Sequence, residues 1–315
     1  MKALVTGCAG FIGSHLAEAL VANGDEVLGV DRLSSYYDRD RKLANVRALC
    51  ANERFTFVES DLCFMDLPKV VRDRDVVFHL AAQPGVRSSW GSEFAVYVED
   101  NIRATQHLLE ACRGTDLRRF VFASSSSIYG TPASFPTREH DATHPHSPYG
   151  VTKLAAENLC SLYAANWQMP TTSLRYFTVY GPRQRPDMAM SRLISCARSG
   201  EPFTLFGDGT AVRDFTYVGD VVRANLLAAQ ADVAPGTVVN IGGGGGYTVK
   251  DAIAIVERVV GRKVNVNRLP ASPGDVPKTG ADISRAATVL DWKPEISLET
   301  GIEQQASWQM SNPTS

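Results

Sequence analysis

The stretch on which the fold turns is Ala3-Leu4-Val5-Thr6-Gly7-Cys8-Ala9-Gly10-Phe11-Ile12-Gly13-Ser14-His15-Leu16-Ala17-Glu18. A short apolar run leads into glycines spaced G-x-x-G-x-x-G, and apolar residues at helical intervals follow. Strand, glycine turn, helix is the setting in which backbone can approach a pyrophosphate at a helix N-terminus. A purely structural turn would account for the glycines taken alone. The next element weighs against it: Glu26-Val27-Leu28-Gly29-Val30 reads as a second strand ending in Asp31, where a carboxylate can accept both ribose hydroxyls of an adenosine. The same acid would repel a 2'-phosphate, so the expected ligand is NAD rather than NADP, with Arg32 next door as the one feature pointing the other way. Gly7, Gly10, Phe11, Ile12, Gly13 and Asp31 are its expected contacts.

Further strands follow at the spacing of an alternating fold. Phe55 to Glu59 stops near Asp61-Leu62, from which a carboxylate could reach the adenine amino group. Val76 to Leu80 runs into Ala81-Ala82-Gln83, small residues that allow close approach to a ligand at a carboxyl edge. Arg119 to Ala123 ends in the serines 124–127, and Thr171 to Tyr176 forms a sixth strand. A helix is expected over Phe94 to Arg113, with Val98, Ile102, Thr105, Leu108, Leu109 and Cys112 on one side. Strands alternating with helices predict an α/β fold, a Rossmann-type doubly wound parallel sheet with its crevice at the strand carboxyl ends. His79, inside an apolar strand, reads as a core histidine.

Ser147-Pro148-Tyr149-Gly150-Val151-Thr152-Lys153 opens another helix, with Ser147 as N-cap and Pro148 in the first turn. Tyr149 and Lys153 are four apart and share a face. A phenol near the positive end of a helix dipole, with an ammonium beside it, is expected to ionise more easily than free tyrosine, which makes Tyr149 a candidate base. With ten tyrosines in the chain, the spacing means little without the crevice around it.

The 315 residues carry a formal charge of −2, which leaves no nucleic-acid footprint. No apolar run approaches the ~18 residues of a membrane span, and Met1-Lys2 leads directly into a strand rather than a signal sequence. Six scattered cysteines and no His or Cys set at metal spacing suggest reduced thiols, no metal and a cytoplasmic setting. His140, His144 and His146 lie in a Pro-rich loop with no completing ligand and read as solvated.

Beyond Tyr176 the pattern loosens into Met188 to Ser199 (helix), Phe203 to Phe206 (strand), Val212 to Tyr217 (strand), Val218 to Ala231 (helix), Val238 to Ile241 (strand) and Leu298 to Trp308 (helix). The run Gly242 to Gly246 lacks the Lys-Ser/Thr of a phosphate loop and reads as either a mobile segment or a tight passage between domains. The division expected is an NAD-binding domain over 1–177, with 213–242 returning to it, and a smaller α/β substrate-binding lid over 178–315. Arg183, Arg185, Arg192 and Arg213 in the lid point to a diphosphate or carboxylate ligand, against the plainer alternative of a solvated basic face.

These pieces in order, with Asn101, Ile128-Tyr129-Gly130, Arg175 through Pro182, Gly207-Asp208-Gly209, Arg213 through Val218, Pro273-Gly274-Asp275-Val276 and Trp292-Lys293-Pro294, resemble the extended short-chain dehydrogenase/reductases over nearly the whole chain. The motifs are those of nucleotide-sugar epimerases and dehydratases. The resemblance implies catalysis by Tyr149, Lys153 and Ser125, with further cofactor contacts from Asp61, Leu62, Leu80, Ala81, Ala82, Gln83, Asn101, Lys153 and Tyr176. Dehydratases place an Asp-Glu pair after the catalytic hydroxyl and decarboxylases a Glu two before Tyr129. Here Ser126 and Ser127 stand instead, which leaves epimerisation.

Gln83 through Arg87 and Thr178 through Met188 look most like UDP-glucuronate 4-epimerases, with Arg185 as partner for the C5 carboxylate. The implied substrate contacts are Ser126, Ser127, Arg87, Thr178, Arg185, Arg192, Thr204, Phe206, Arg213 and Asp275. Pro84 and Ser272 depart from the family pattern, the latter where many relatives place a nucleotide contact. A UDP-glucose/UDP-galactose 4-epimerase, a UDP-glucuronate decarboxylase, an ordinary dehydrogenase and a non-enzymatic NAD-binding protein are the alternatives. The family further implies a homodimer joined by a four-helix interface from the Phe94 and Tyr149 helices.

Overall fold

The computed structural model describes residues 1–271 and 274–312. Seven parallel strands form the main sheet: β1 Lys2–Thr6, β2 Glu26–Asp31, β3 Phe55–Glu59, β4 Val76–His79, β5 Arg119–Ser125, β6 Thr171–Tyr176 and β7 Thr237–Ile241. Their order is β7-β6-β5-β4-β1-β2-β3, so the chain winds outward from β1 in both directions. The doubly wound sheet is as the alternation of strands and helices predicts. Connections from β1 and β4 diverge at the carboxyl edge, which opens a crevice there.

Each face of the sheet has its own core. On one side Phe11, Leu16 and Leu20 of the first helix, Phe11–Ala22, pack with Val221, Ala224 and Ala228 of the helix Val218–Gln230. Ala286, Leu290 and Trp292 join this same core from far along the chain, a return that the loose pattern of the C-terminal half does not announce. On the other side Leu108 and Leu109 pack with Ala156, Cys160 and Tyr163 of the helix Pro148–Trp167. A third cluster, built on Leu193, Ile194, Phe203, Leu205, Val256 and Ile302, forms the core of the C-terminal part.

Two local features differ from the sequence reading. The helix expected over Phe94 to Arg113 runs as Phe94–Tyr97, a π turn over Val98–Arg103, and Ala104–Cys112. The wide turn shifts the buried face by a residue, so Tyr97 and Asn101 are buried where Val98 and Ile102 are only half-buried. The strand expected over Val212 to Tyr217 breaks at Asp214, whose buried carboxylate accepts from Gly243 N (2.6 Å) and Ala281 N (2.9 Å). That fixes Gly242 and Gly243 as a tight passage: a Cβ on Gly243 would lie 2.0 Å from the carbonyl oxygen of Phe215.

Candidate active site

The glycine turn is shaped by contact with the next strand over. Gly7 has φ 71°, and a Cβ there would sit 2.8 Å from Ala81 N; a Cβ on Gly13 would sit 2.1 Å from Gly7 O. Only glycine fits either position, and the first helix therefore begins close against β1 and β4. It begins with Gly10 as N-cap, no side-chain cap and no acid in its first turn. Its free N–H groups face a crevice, which is the chemistry a diphosphate needs.

That crevice is one open cavity of about 1190 Å³, the solvent at its mouth included, lined by Gly7, Gly10, Phe11, Ile12, Gly13, Asp31, Asp61, Leu62, Leu80, Ala81, Ala82, Tyr149, Lys153, Tyr176 and Arg185. Asp31 accepts from Ala9 N (3.1 Å) and Leu33 N (2.8 Å), and burial raises its pKa against those two donors, Lys42 and Arg32. Arg32 is paired with Asp61 (3.2 Å) and Asp100 (2.5 Å), so it is not free to greet a 2'-phosphate. Burial pushes Asp100 up to about 6 with Arg32 opposing. Asp31, Asp61 and the uncapped helix fit an NAD.

Gln83 and Asn101 stand one layer back. The Asn101 amide accepts from Gln83 N (2.7 Å) and donates to Gln83 O (3.1 Å) and Thr152 Oγ1 (2.9 Å). Asn101 is buried outside the cavity with its donors and acceptor taken, so the π turn serves to tie the loop after β4 to the Tyr149 helix. His79 is the core strut expected, bridging Thr6 Oγ1 (2.8 Å) and Thr105 Oγ1 (3.0 Å) and held neutral by burial with a pKa of about 3.

At the other end, Ser147 caps its helix by accepting from Gly150 N (3.1 Å), with Pro148 in the first turn, as its sequence dictates. Tyr149 lies beside Ser125, whose hydroxyl accepts from Ser127 N (3.1 Å). The expectation of an easily ionised phenol does not hold for the protein by itself: burial raises the Tyr149 pKa, and Ser125 and Arg185 only oppose that rise. Lys153, 3% exposed, lies with its ammonium 4.4 Å from the centre of the Phe122 ring. Burial lowers its pKa to about 8, with Cys160 and Glu157 opposing.

Glu157 belongs to the same helix face, four residues past Lys153, and sequence reading passed over it although the spacing Tyr149, Lys153, Glu157 was visible. It accepts from Ser124 Oγ (2.5 Å) and pairs with Arg175 (2.6 Å) in the sheet interior. Arg175 in turn donates to Tyr129 Oη (2.5 Å) and Glu139 O (2.9 Å). The network fixes the end of β5, and with it Ser125, against the helix that carries the base.

The lid arginines separate by task. Arg183, with φ 62°, is held by Glu18 (2.6 Å) and Ser14 (3.3 Å), and His15 bonds Pro182 O (2.9 Å). Arg183 therefore fastens the chain to the first helix and does not face a substrate. Arg185 follows it over the cavity. Arg87 pairs with Asp275 (2.8 Å) and lies 4.0 Å over the Phe206 ring, with Arg213 near enough to both charges for burial and Arg87 to lower its pKa against Asp275. Thr204 is two residues from Phe206 on the same strand, Phe203–Phe206, and Arg192 lies 5.9 Å over Phe203. Thr178, Ser126 and Ser127 are half-buried. Ser272 and Pro273 lie outside the described residues. Tyr36, Tyr37 and Lys42, which also line the cavity, come from a segment whose sequence carries no motif.

All six cysteines are free, and among the described residues no three His, Cys, Asp or Glu side chains gather as a metal site. No described helix is long and apolar enough to cross a membrane.

The model of the NAD dependent epimerase/dehydratase family matches residues 3–242. The chain belongs to that family. Among the relatives of this epimerase/dehydratase, a UDP-glucuronate 4-epimerase of Thermodesulfobacterium geofontis is 38% identical, the match spanning 98% of this chain and 96% of the relative. An uncharacterized UDP-glucose epimerase of Bacillus subtilis is 44% identical over 98% of both chains. The structure superposes on a UDP-glucuronic acid 4-epimerase of Bacillus cereus, in complex with UDP-glucuronic acid and NAD, with TM-score 0.96 and 46% identity, covering 99% of this chain and 100% of that one.

Proposed function

We propose that the protein catalyses the 4-epimerisation of UDP-glucuronate to UDP-galacturonate through a 4-keto intermediate. The observation that carries the reading is Arg185, a guanidinium that lines the same cavity as Tyr149 and Lys153 and lies close enough to Tyr149 to oppose the rise of its pKa. A guanidinium binds a carboxylate by its fork, which a neutral hydroxymethyl group does not need. NAD, held by Asp31, Asp61 and the uncapped N-terminus of the first helix, would supply a reversible hydride acceptor for C4 of the sugar. Tyr149 takes the proton of the 4-hydroxyl and gives it back, and Ser125 holds that hydroxyl in line. Lys153, kept charged below pH 8, stabilises the phenolate and holds the nicotinamide ribose. Arg87, Phe206, Arg213 and Asp275 hold the uridine diphosphate, Arg213 and Arg192 its phosphates, while the sugar turns over.

The intermediate of a glucuronate is a β-keto acid, which loses carbon dioxide when the bond to its carboxylate lines up with the carbonyl π system. Thr178, Ser127 and Arg185 hold the carboxylate out of that alignment. Replacing Arg185 with His is expected to lower turnover of UDP-glucuronate and release a decarboxylated pentose, identified by chromatography of the sugars. Unchanged epimerisation in that variant would remove the carboxylate assignment. The second reading, a UDP-glucose 4-epimerase, draws on the Bacillus subtilis relative and on Asp187, which already pairs with Arg185.

The division into an NAD-binding part over 1–177 with 213–242, and a lid over the rest of 178–315, goes with this function, as does a cytoplasmic setting. A homodimer through the Phe94 and Tyr149 helices is supported by Phe94, Val151, Leu162 and Trp167, large apolar side chains left exposed on them.

A further inference from the structure

The chain from Gly181 to Met188 is a strap between the two parts of the molecule, and most of it is fastened. Gln184 N donates to Gly181 O (3.1 Å), its amide bonds Val179 O, Ser191 N and Gln305, and Arg183 is tied to Glu18. Arg185 itself has a long side chain with nothing covalent to fix its head group. Its Nε donates to Asp187 Oδ1 (2.9 Å) and its Nη2 to Asp187 Oδ2 (2.9 Å). Tyr36, whose ring centre is 5.6 Å from the guanidinium, donates to Asp187 Oδ2 (3.3 Å) from the other side.

An arginine fork has two edges that can grip a carboxylate, one formed by Nε and Nη2, the other by Nη1 and Nη2. Asp187 takes the first. Among the described residues nothing takes the second edge, on a side chain only 17% exposed that lines the cavity of Tyr149. We infer that Asp187 is a positioning residue for substrate selection: it holds the side edge of Arg185 so that the end edge meets the C5 carboxylate of a UDP-hexuronate. The inference rests on the UDP-glucuronate reading given above. It goes further in assigning the orientation of that carboxylate to a residue that does not touch it, with Tyr36 as its brace.

The consequence is a change in product as well as rate. In the 4-keto intermediate, decarboxylation breaks the C5–C6 bond, its electron pair passing into the C4 carbonyl as an enolate. Carbon dioxide leaves, and a proton adds at C5. The carboxylate must rotate into line for this to occur, and a guanidinium without Asp187 lets it rotate.

The test compares wild type, Asp187→Ala and Asp187→Asn with UDP-glucuronate, measuring kcat, KM and the ratio of pentose to hexuronate product, with thermal unfolding as a check on the fold. In Asp187→Ala the pentose fraction is expected to rise and kcat to fall by on the order of tenfold to a hundredfold, the scale on which misplaced groups cost rate. Asp187→Asn keeps one acceptor oxygen and is expected to fall between. A product ratio and kcat within twofold of wild type in a folded Asp187→Ala would overturn the inference while leaving the substrate reading in place. Failure of wild type to convert UDP-glucuronate at all would overturn that reading, and the inference with it.

Discussion

Tyr149 and Lys153 are each buried against their charged forms: the phenol's pKa is raised and the ammonium's lowered to about 8. In the protein alone burial favours the neutral phenol, and the positive ring of a bound nicotinamide would add to the opposition that Ser125 and Arg185 supply. Tyr149→Phe is expected to keep its fold and its NAD while kcat falls by about a hundredfold or more, read in a coupled assay of sugar product. Lys153 makes a second prediction with a definite sign. Its proton is held less tightly in the folded chain, at about 8, than at the ordinary 10.5 of the unfolded one, so unfolding takes up a proton between those values. The stability that Lys153 withholds at neutral pH returns as pH rises from about 8 to 10.5. Lys153→Met is thus expected to abolish activity yet raise stability at pH 7 by roughly 2 kcal/mol, with the difference from wild type shrinking towards pH 10. Denaturant midpoints at the two pH values check this, and a variant less stable than wild type at pH 7 would refute it.

Among the elements, those with strong local signals are legible in the sequence. The glycine turn, the strand ends at Asp31 and Asp61, and the capped start at Ser147-Pro148 are fixed by backbone geometry that few residue types satisfy. The turn yields the next prediction. Gly13→Ala would put a Cβ 2.1 Å from Gly7 O, and neither backbone can yield. The variant is expected to lose roughly 1–3 kcal/mol and to carry less NAD through purification, measured by absorbance after denaturation.

Other elements were readable and missed, such as the helix Val249–Val260, announced by the capping box of Thr248 and Asp251 and by Gly261 with φ 73°. The π turn at Asn101 could not be read, because its cause is tertiary: an amide that must meet both the loop after β4 and Thr152 on another helix. The same holds for Arg183, which in the sequence is one of four lid cations: the Glu18 that holds it lies far away along the chain.

At the scale of the molecule, a cavity of the sheet's carboxyl edge joins the cofactor residues to Arg185 of the strap, and it does so with the Tyr149 phenol between them. Family resemblance identified the reaction class because its motifs are spread over most of the chain. The groups proposed to select the sugar are brought together only in three dimensions: Arg185 of the strap lies 5.6 Å from the ring of Tyr36, which comes from beyond β2. An enzyme that takes and returns hydrogen within one site has no net need of oxidant. The most direct test is to incubate the purified protein with UDP-glucuronate and no added NAD, and to identify the sugar nucleotides at equilibrium. The account predicts a mixture of UDP-glucuronate and UDP-galacturonate formed over many turnovers per protein. Recovery of UDP-glucuronate alone, or no more UDP-galacturonate than the NAD the protein itself carries, would contradict it.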